Sequence, residues 1–294
     1  MPSIDLIAQT AANGVLLGGI YALAALGLSL VFGIMDVVNL AHGHLLMIGG
    51  YVAIIVLAML GLSPLVGMLV AIVVLFVLGI VLERLLLDQV VDVGVEQPIL
   101  VLFGVALVLQ NLGQFFLGSD AQSTELGFNL PSLAFGPIQL SSSRTVTFVL
   151  AVVLVALTWL FMERTSTGHA IRATAQNRDA ARYVGIDTDR IYMITMGIGS
   201  ALAGAAGALL SMLFPIDPYV GWSYLLTTFA VVVLGGVGSI GGTLVGGIII
   251  GTAENLTALF VGGSYRDVMT FAIFLVVLLV RPQGLFGTGG GGGE

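Results

Sequence analysis

The sequence contains neither lysine nor cysteine. Without cysteine, the protein can form no disulfide, iron–sulfur cluster or thiolate metal site. Without lysine, it can form neither a nucleotide phosphate-binding loop, which needs a lysine on the phosphates, nor a retinal Schiff base. We therefore expect no cofactor, and any ATPase that drives this protein must be a separate chain.

Charge is also scarce. Only 9% of the 294 residues are charged, 58% are hydrophobic, and the mean hydropathy is +1.11. This composition is typical of a polytopic membrane protein and not of a soluble domain. The formal net charge of −7, with no basic patch outside one central loop, argues against a nucleic-acid partner. Because the N-terminus lacks the basic region of a secretory signal, the first apolar stretch is expected to stay in the membrane.

Apolar runs of about 20 residues, enough to cross the hydrocarbon layer, recur along the chain and predict an all-α protein with eight or nine transmembrane helices. The runs lie near residues 10–32, 40–60, 64–82, 99–117, 147–162, 191–213, 224–238, 241–260 and 268–280. Polar residues or glycines interrupt the chain near 36–46 and 224–245, where a broken or re-entrant helix is the alternative to a full crossing. We predict one transmembrane domain, residues 1–286, followed by a flexible glycine-rich tail, residues 287–294.

The longest polar interruption, residues 163–190, holds five of the nine basic residues. They are Arg164, Arg172, Arg178, Arg182 and Arg190. An arginine at the centre of a spanning helix costs about 2.5 to 3.5 kcal/mol on insertion scales, so this segment must lie in water. Basic residues near spans mark the cytoplasmic side. With nine crossings, the N-terminus is then outside and the C-terminus inside.

One helix is predicted within this cytoplasmic loop, over residues 168–184, because the stretch lacks proline and is rich in alanine and arginine. Thr167 can cap its beginning, and Gly185 can end it in the left-handed conformation. Arg178 and Arg182 stand one turn apart on a charged side. The pattern leaves two locations open, the membrane surface or a groove in a cytoplasmic partner.

A short motif in this helix favours the partner. Asp179, Ala180 and Ala181, followed after three residues by Gly185, resemble the E-A-A-x-x-x-G loop of ABC importer permeases, with aspartate in place of glutamate. The surrounding string GHAIRATAQNRDAARYVGID resembles the branched-chain amino acid ABC permease family more closely. So do the stretch from GGIYAL to MIGGY at 18–51 and RPQGLFG at 281–287. The resemblance covers nearly the whole chain.

This resemblance implies a permease subunit in the cell membrane that carries branched-chain or related hydrophobic amino acids and is not itself an enzyme. It also implies a second permease subunit, two cytoplasmic ATPase subunits and an extracytoplasmic substrate-binding protein. Permeases for urea and short-chain amides are the alternative within the class, and an ion-coupled secondary carrier is the alternative outside it. The residues then assigned to coupling with the ATPases are Arg172, Arg178, Asp179, Ala180, Ala181, Arg182 and Gly185.

Polar residues between apolar runs are candidates for the translocation path. Asp36, Asn39, His42 and His44 follow the first run and form either a short cytoplasmic turn that caps the next helix or a broken helix that lines the route. The two histidines have no nearby third ligand, so they do not indicate a metal site.

Two further places in the apolar runs carry polar side chains. Gln110 and Asn111, with Gln114, belong to the fourth run, where amides either bond to a neighbouring helix or line a pore. Glu254 is the carboxylate deepest in an apolar run, and it is either functional or paired structurally. In the ion-coupled alternative, Glu254 and Asp36 would form the coupling site.

Outside the membrane, the longest connection is predicted at residues 118–145. It is either a solvated loop or a docking surface for the extracytoplasmic binding protein, with Asp120 and Glu125 as possible charges. Glycines are frequent in the last third of the chain, where small residues four apart permit close helix packing.

Overall fold

The computed structural model describes residues 2–91, 93–94, 96–124, 132–136 and 138–287. Within them the chain is a helical bundle, which confirms the all-α prediction. The helices are α1 (Ile4–Met35), α2 (His42–Leu60), α3 (Pro64–Leu82), α4 (Glu96–Leu117), α5 (Ser142–Arg164), α6 (Ser166–Gln176), α7 (Arg178–Tyr183), α8 (Thr188–Ser211), α9 (Val220–Gly235), α10 (Ile240–Phe260) and α11 (Arg266–Val280). A π-helix (Glu83–Leu87) extends α3, and a 3₁₀ turn (Gly263–Tyr265) precedes α11. Two short strands, β1 (Leu133–Phe135) and β2 (Ile138–Leu140), form an antiparallel hairpin.

Eight of these helices, with their short extensions, are long and apolar enough to cross a membrane. They comprise α1 to α5, α8, α10 and α11. The remaining predicted segment is α9, whose 16 residues extend about 24 Å, less than the roughly 30 Å of hydrocarbon. All nine predicted segments coincide with helices, and the largest difference is in the first, which begins at Ile4 and not at residue 10.

Helix α1 lies at the centre of the bundle and is buried along most of its length. It packs most extensively against α10 and α8. Glycines make these contacts possible: a Cβ at Gly18 would lie 2.5 Å from the carbonyl oxygen of Gly247, and one at Gly27 would lie 2.5 Å from that of Gly199. The helices therefore approach at backbone contact, which is the close packing that the small residues predict.

Contacts between the connecting segments agree with nine alternating crossings. On one side, Gln9 in the first turns of α1 exchanges two hydrogen bonds with Gln139 of β2. On that same side, Gln122 pairs as a β-bridge with Ile216, which follows α8. On the other side, the backbone N–H of Leu285, beyond α11, donates to the carbonyl of Leu234 near the end of α9 at 2.8 Å. The N-terminus and the C-terminal segment thus lie on opposite sides of the bundle.

Two sequence predictions fall on residues outside those that the structure describes. They are the possible docking charge Glu125 and residues 288–294 of the predicted tail. Asp120, the other possible docking charge, is exposed after the end of α4.

Candidate functional site

The segment between α5 and α8 contains two helices, so the prediction of one helix over 168–184 is wrong. α6 ends at Gln176, and α7 begins after Asn177, whose backbone is extended at φ −161° and ψ 107°. The Asn177 Oδ1 accepts a hydrogen bond from the N–H of Ala180 at 2.9 Å. An asparagine side chain competes for backbone N–H groups, and here it starts a new helix in place of continuing the old one.

The beginning of this helical segment also differs from the prediction, whereas its end at Gly185 agrees. Thr165, and not Thr167, caps α6, and its hydroxyl accepts from the N–H of Gly168 at 3.0 Å. Gly185 has the left-handed backbone that the sequence predicts, with φ at +87°. The N–H groups of Gly185 and Ile186 donate to the carbonyls of Arg182 and Ala181, both at 3.0 Å. The chain therefore turns sharply after α7 toward α8.

The face of α7 that points away from the bundle projects from the protein. Asp179 and Ala180 are exposed there, while Ala181 is buried toward the bundle. At the tip, Tyr183 is 89% exposed and Val184 is 78% exposed. Tyr183 was not among the predicted site residues, although a large aromatic beside a glycine turn in an otherwise polar loop is a usable signal. A bare apolar tip in a water-exposed segment is typical of a contact site for another protein.

The two arginines of α7 bind the neighbouring helix α8, and their side chains stay partly exposed, 23% for Arg178 and 45% for Arg182. The Arg182 guanidinium donates to the Asp189 carboxylate at 2.8 Å and to the Thr188 hydroxyl at 2.7 Å. Arg178 lies 3.6 Å from the same carboxylate, and its guanidinium carbon is 4.7 Å from the centre of the Tyr192 ring. These contacts fasten α7 to the first turns of α8.

A buried carboxylate completes this charged cluster. Glu83 is 2% exposed, lies in the π-helix that extends α3, and is within electrostatic reach of Arg178 and Asp189. An acidic residue directly after α3 is therefore near the basic residue Arg178 of α7. On α6, Arg172 forms an ion pair with Glu163 at the end of α5. The arginines predicted to couple are thus linked to α3, α5 and α8.

After α1, the chain turns back into the bundle. Asp36 ends α1 with a left-handed backbone, φ +52°, and its side chain is exposed. His42, the first residue of α2, places its Nε2 2.9 Å from the carbonyl oxygen of Ala24, which lies 35 − 24 = 11 residues before the end of α1. At about 1.5 Å per residue, α2 begins roughly 16 Å back along α1. Residues 37–41 are thus a re-entrant segment.

The re-entrant segment is held by Asn39, which is buried. Its Oδ1 accepts from the N–H of Ala41 at 3.0 Å, and its Nδ2 is 3.8 Å from the Met196 sulfur on α8. The backbone is thus broken between α1 and α2, as the second interpretation predicts, and its place on the route stays a prediction. The asparagine stabilises the start of a helix, and it does so inside the bundle, where irregular backbone in a membrane protein is tolerated because neighbouring helices cover it.

The predicted amides of α4 point in two directions. The Trp222 indole N–H of α9 donates to the Gln110 side chain at 2.8 Å, and the same indole packs edge-on against the buried His44 ring at 4.7 Å. Gln110 therefore joins α4 to α9 and α2. Asn111, the next residue, is exposed on the surface of α4. Trp222 was not predicted, since nothing in its own segment indicates an amide partner.

Glu254 is buried and fully paired. Its Oε2 accepts from the Tyr21 hydroxyl of α1 at 2.8 Å, and its Oε1 accepts from the Thr270 hydroxyl of α11 at 2.7 Å. The Tyr21 ring also packs edge-on against Tyr224 of α9, with centroids 6.3 Å apart. The carboxylate thus connects α10 to α1 and α11. Within the described ranges, no three metal-binding side chains come together.

Known proteins resemble this chain along nearly its whole length. Residues 10–278 match the family described as the permease component of branched-chain amino acid transport systems. The chain is 35% identical to the high-affinity branched-chain amino acid transport system permease protein LivH of Salmonella typhimurium, over 94% of both chains. It is 34% identical to BraD, the permease of the same description from Pseudomonas aeruginosa, over 98% of both. A probable branched-chain amino acid transport permease of Methanocaldococcus jannaschii is 30% identical over 94% of this chain and 91% of its own.

Proposed function

Because the chain belongs to the family of branched-chain amino acid transport permeases, we propose that it is the membrane subunit of an ABC importer that carries branched-chain or related hydrophobic amino acids across the cytoplasmic membrane. The observation that carries the proposal is the full-length similarity to permeases named for this substrate class. The multi-pass helical bundle and the projecting cytoplasmic helix α7 support it.

The proposed importer needs other subunits. The chain has no lysine for a nucleotide phosphate loop, so ATP hydrolysis is assigned to two separate cytoplasmic ATPase subunits. A second permease subunit and an extracytoplasmic substrate-binding protein complete the assembly. The binding protein would meet the side of the bundle that carries the β hairpin and the connection between α4 and α5.

We assign α7 to coupling with the ATPases. Tyr183 and Val184 form the apolar tip that a groove on an ATPase would accept, and Asp179 and Ala180 flank it on the exposed side. Arg182 and its partner Asp189 then transmit the displacement of the tip to α8. Since α8 packs against α1, α2 and α3, a rigid shift of α7 reaches the centre of the bundle.

For the translocation path, we propose the polar side chains that interrupt the apolar bundle. Asn39, His42 and Gln110 are close to the re-entrant segment and to the start of α2, and Glu254 lies on the α1–α10 contact. Asp36 would stand at the cytoplasmic mouth. Such groups suit the charged ends of an amino acid, while the surrounding leucines and glycines suit its apolar side chain.

Transport by the reconstituted complex tests this function. The chain is inserted into vesicles with its ATPases, second permease and binding protein, and uptake of labelled leucine is followed with and without ATP on the side that carries the ATPases. We expect ATP-dependent uptake that isoleucine and valine compete for and that urea and acetamide do not. Leucine uptake driven by an ion gradient in vesicles that contain this chain alone would instead establish a secondary carrier.

A further inference from the structure

Two arginines come together at the outer end of the bundle. In the predicted arrangement of nine crossings, Arg144 and Arg266 are the two basic residues on the outer side. Arg144 is the third residue of α5 and Arg266 is the first residue of α11, so each stands in the first turn of a helix. The positive end of the helix dipole disfavours a basic side chain there. The stability of its own helix therefore explains neither arginine.

Helices α5 and α11 both contact α1 one turn after their arginines. Phe148 of α5 lies against Gly19 of α1. Thr270 of α11 and Tyr21 of α1 donate hydrogen bonds to the same carboxylate, that of Glu254. The two contacts are 21 − 19 = 2 residues apart on α1, so the arginines, one turn earlier on each helix, lie at a similar depth about 6 Å nearer the outer end. Their guanidinium groups are close enough to repel each other.

No acidic partner balances this pair. Within the described ranges, neither guanidinium forms an ion pair or accepts a partner for its N–H groups, and the Nε of Arg266 is shielded from solvent without a hydrogen bond. Both side chains are partly buried. Two like charges that are close together, partly desolvated and unpaired are unfavourable, and an anion between them would remove the repulsion. Such an arrangement of charged groups is typical of a ligand site.

A buried carboxylate stands on the inner side of the arginines. Glu254 lies 260 − 254 = 6 residues, or about 9 Å, inside the outer end of α10, and it is within electrostatic reach of Arg266. Each of its oxygens accepts one hydroxyl, so the carboxylate keeps lone pairs for a further donor. From the outside inward, the charges are thus positive and then negative. An amino acid that enters with its ammonium group inward and its carboxylate outward matches this order.

We propose that Arg144 and Arg266 bind the α-carboxylate of an amino acid at the outer entrance of this chain, with its ammonium group directed toward Glu254. This inference rests on the proposed function and adds the place where the substrate first meets the permease. Guanidinium groups suit this task, because their planar forks form charge-assisted hydrogen bonds to both oxygens of a carboxylate.

Photo-leucine, which carries a diazirine in its side chain, tests the site directly. The complex of permease subunits and ATPases in lipid nanodiscs, without the binding protein, is irradiated with photo-leucine, and the labelled peptides of this chain are identified by mass. We expect labelling near the first turns of α5 and α11 that leucine suppresses and that leucinol, which lacks the carboxylate, does not suppress. Equal suppression by leucinol, or no labelling near either arginine, would overturn the proposal.

Substitution tests the two arginines. Arg144→Gln combined with Arg266→Gln removes both charges, and Arg164→Gln, at the inner end of the same helix α5, is the matched control. Because hydrogen bonds to charged groups are strong, we expect the double variant to lose at least about tenfold in labelling that leucine suppresses, and the control to lose none. Unchanged labelling would overturn the proposal. If the double variant fails to insert, the competition between leucine and leucinol on the wild-type complex decides.

Two other anions are tested with the same variants. If the arginines bind acidic residues of the binding protein, the double variant will lose affinity for that protein in proportion to its loss of uptake. If they bind a lipid phosphate, a phospholipid will copurify with the wild type and not with the double variant, and leucine will not displace it. Either result would overturn the proposal. We expect unchanged affinity for the binding protein and the same lipid content in both proteins.

The two proposals fail separately. If the wild-type complex imports leucine with ATP and photo-leucine labels no peptide near either arginine, the arginine site is wrong and the proposed function stands. If labelling depends on both arginines and leucine is not imported, the site stands and the transport assignment is wrong.

Discussion

Gly185 offers a sharp test of the coupling role of α7. Its φ of +87° is a conformation that side chains other than glycine resist, and a Cβ at this position would meet no atom within 4 Å. The effect of Gly185→Val is therefore conformational and not steric. The strained turn is joined to α7 by the hydrogen bonds that Gly185 and Ile186 donate to Arg182 and Ala181. If the turn in the Gly185→Val variant relaxes to a less strained φ, the end of α7 that carries Tyr183 must move with it.

The expected loss of ATPase affinity follows from the backbone conformation at residue 185. Holding a non-glycine residue in a sparsely populated conformation costs about 1 to 3 kcal/mol, and a β-branched side chain falls toward the upper end. If the ATPase requires the strained turn, that cost appears directly in its binding. A loss of about 1 to 3 kcal/mol corresponds to an affinity about 5 to 150 times weaker. The spanning helices are not part of the turn, so insertion should be normal.

A second glycine supplies the control. Gly61, at the end of α2, also has a left-handed backbone, φ +63°, and a Cβ added there would likewise meet no atom within 4 Å. In the predicted arrangement of nine crossings, it lies on the outer side. Gly61→Val should therefore carry similar strain and leave ATPase binding unchanged. The measurement is titration of the purified ATPase onto the permease in lipid nanodiscs, beside leucine uptake. If Gly185→Val binds the ATPase and transports like wild type, α7 is a surface loop and its assigned role is wrong.

Three more predictions concern ATP, the buried carboxylate and the arginines between α5 and α8. The purified chain should neither bind nor hydrolyse ATP, because it lacks lysine; robust hydrolysis by the isolated chain would contradict this. Glu254→Gln should lower leucine uptake more than folded yield if the carboxylate borders the path, and an equal fall in both would make its role purely structural. Arg178→Ala should weaken ATPase binding by about 1 to 2 kcal/mol, because this side chain is 23% exposed and stacks on Tyr192. Arg172→Ala breaks a more exposed ion pair with Glu163, so it should weaken ATPase binding by less than about 1 kcal/mol. Equal effects of the two arginine variants in the same titration would refute that ranking.

The membrane segments could be predicted from the sequence because length and hydropathy alone determine whether a helix can span lipid. All nine predicted segments are helical, and the ends at Leu60, Leu82 and Leu117 agree with the prediction. The break at Asn177 was not predicted, because an asparagine that caps a helix and one that lies on its surface look alike in sequence. The short length of α9 was indicated by the polar and glycine residues around it.

The contacts of the candidate site could not be predicted, because they join residues far apart in the chain. Trp222 and Gln110 are 112 residues apart, and Tyr21 and Glu254 are 233 apart. No local pattern identifies such partners. The partners of Arg178 could not be predicted either, because Glu83 and Asp189 belong to two other helices.

The re-entrant segment has a consequence for how the protein is made. Asn39 contacts Met196 of α8, which is synthesised 157 residues later. At about 5 to 20 residues per second, the ribosome needs about 8 to 30 s to add that stretch. During this interval the backbone of residues 37–41 lacks the helix that will cover it, and it must stay hydrated or be shielded by the insertion machinery. A substitution at Met196 that slows docking should therefore appear first as degradation of newly made chains, before any defect in the activity of those that mature.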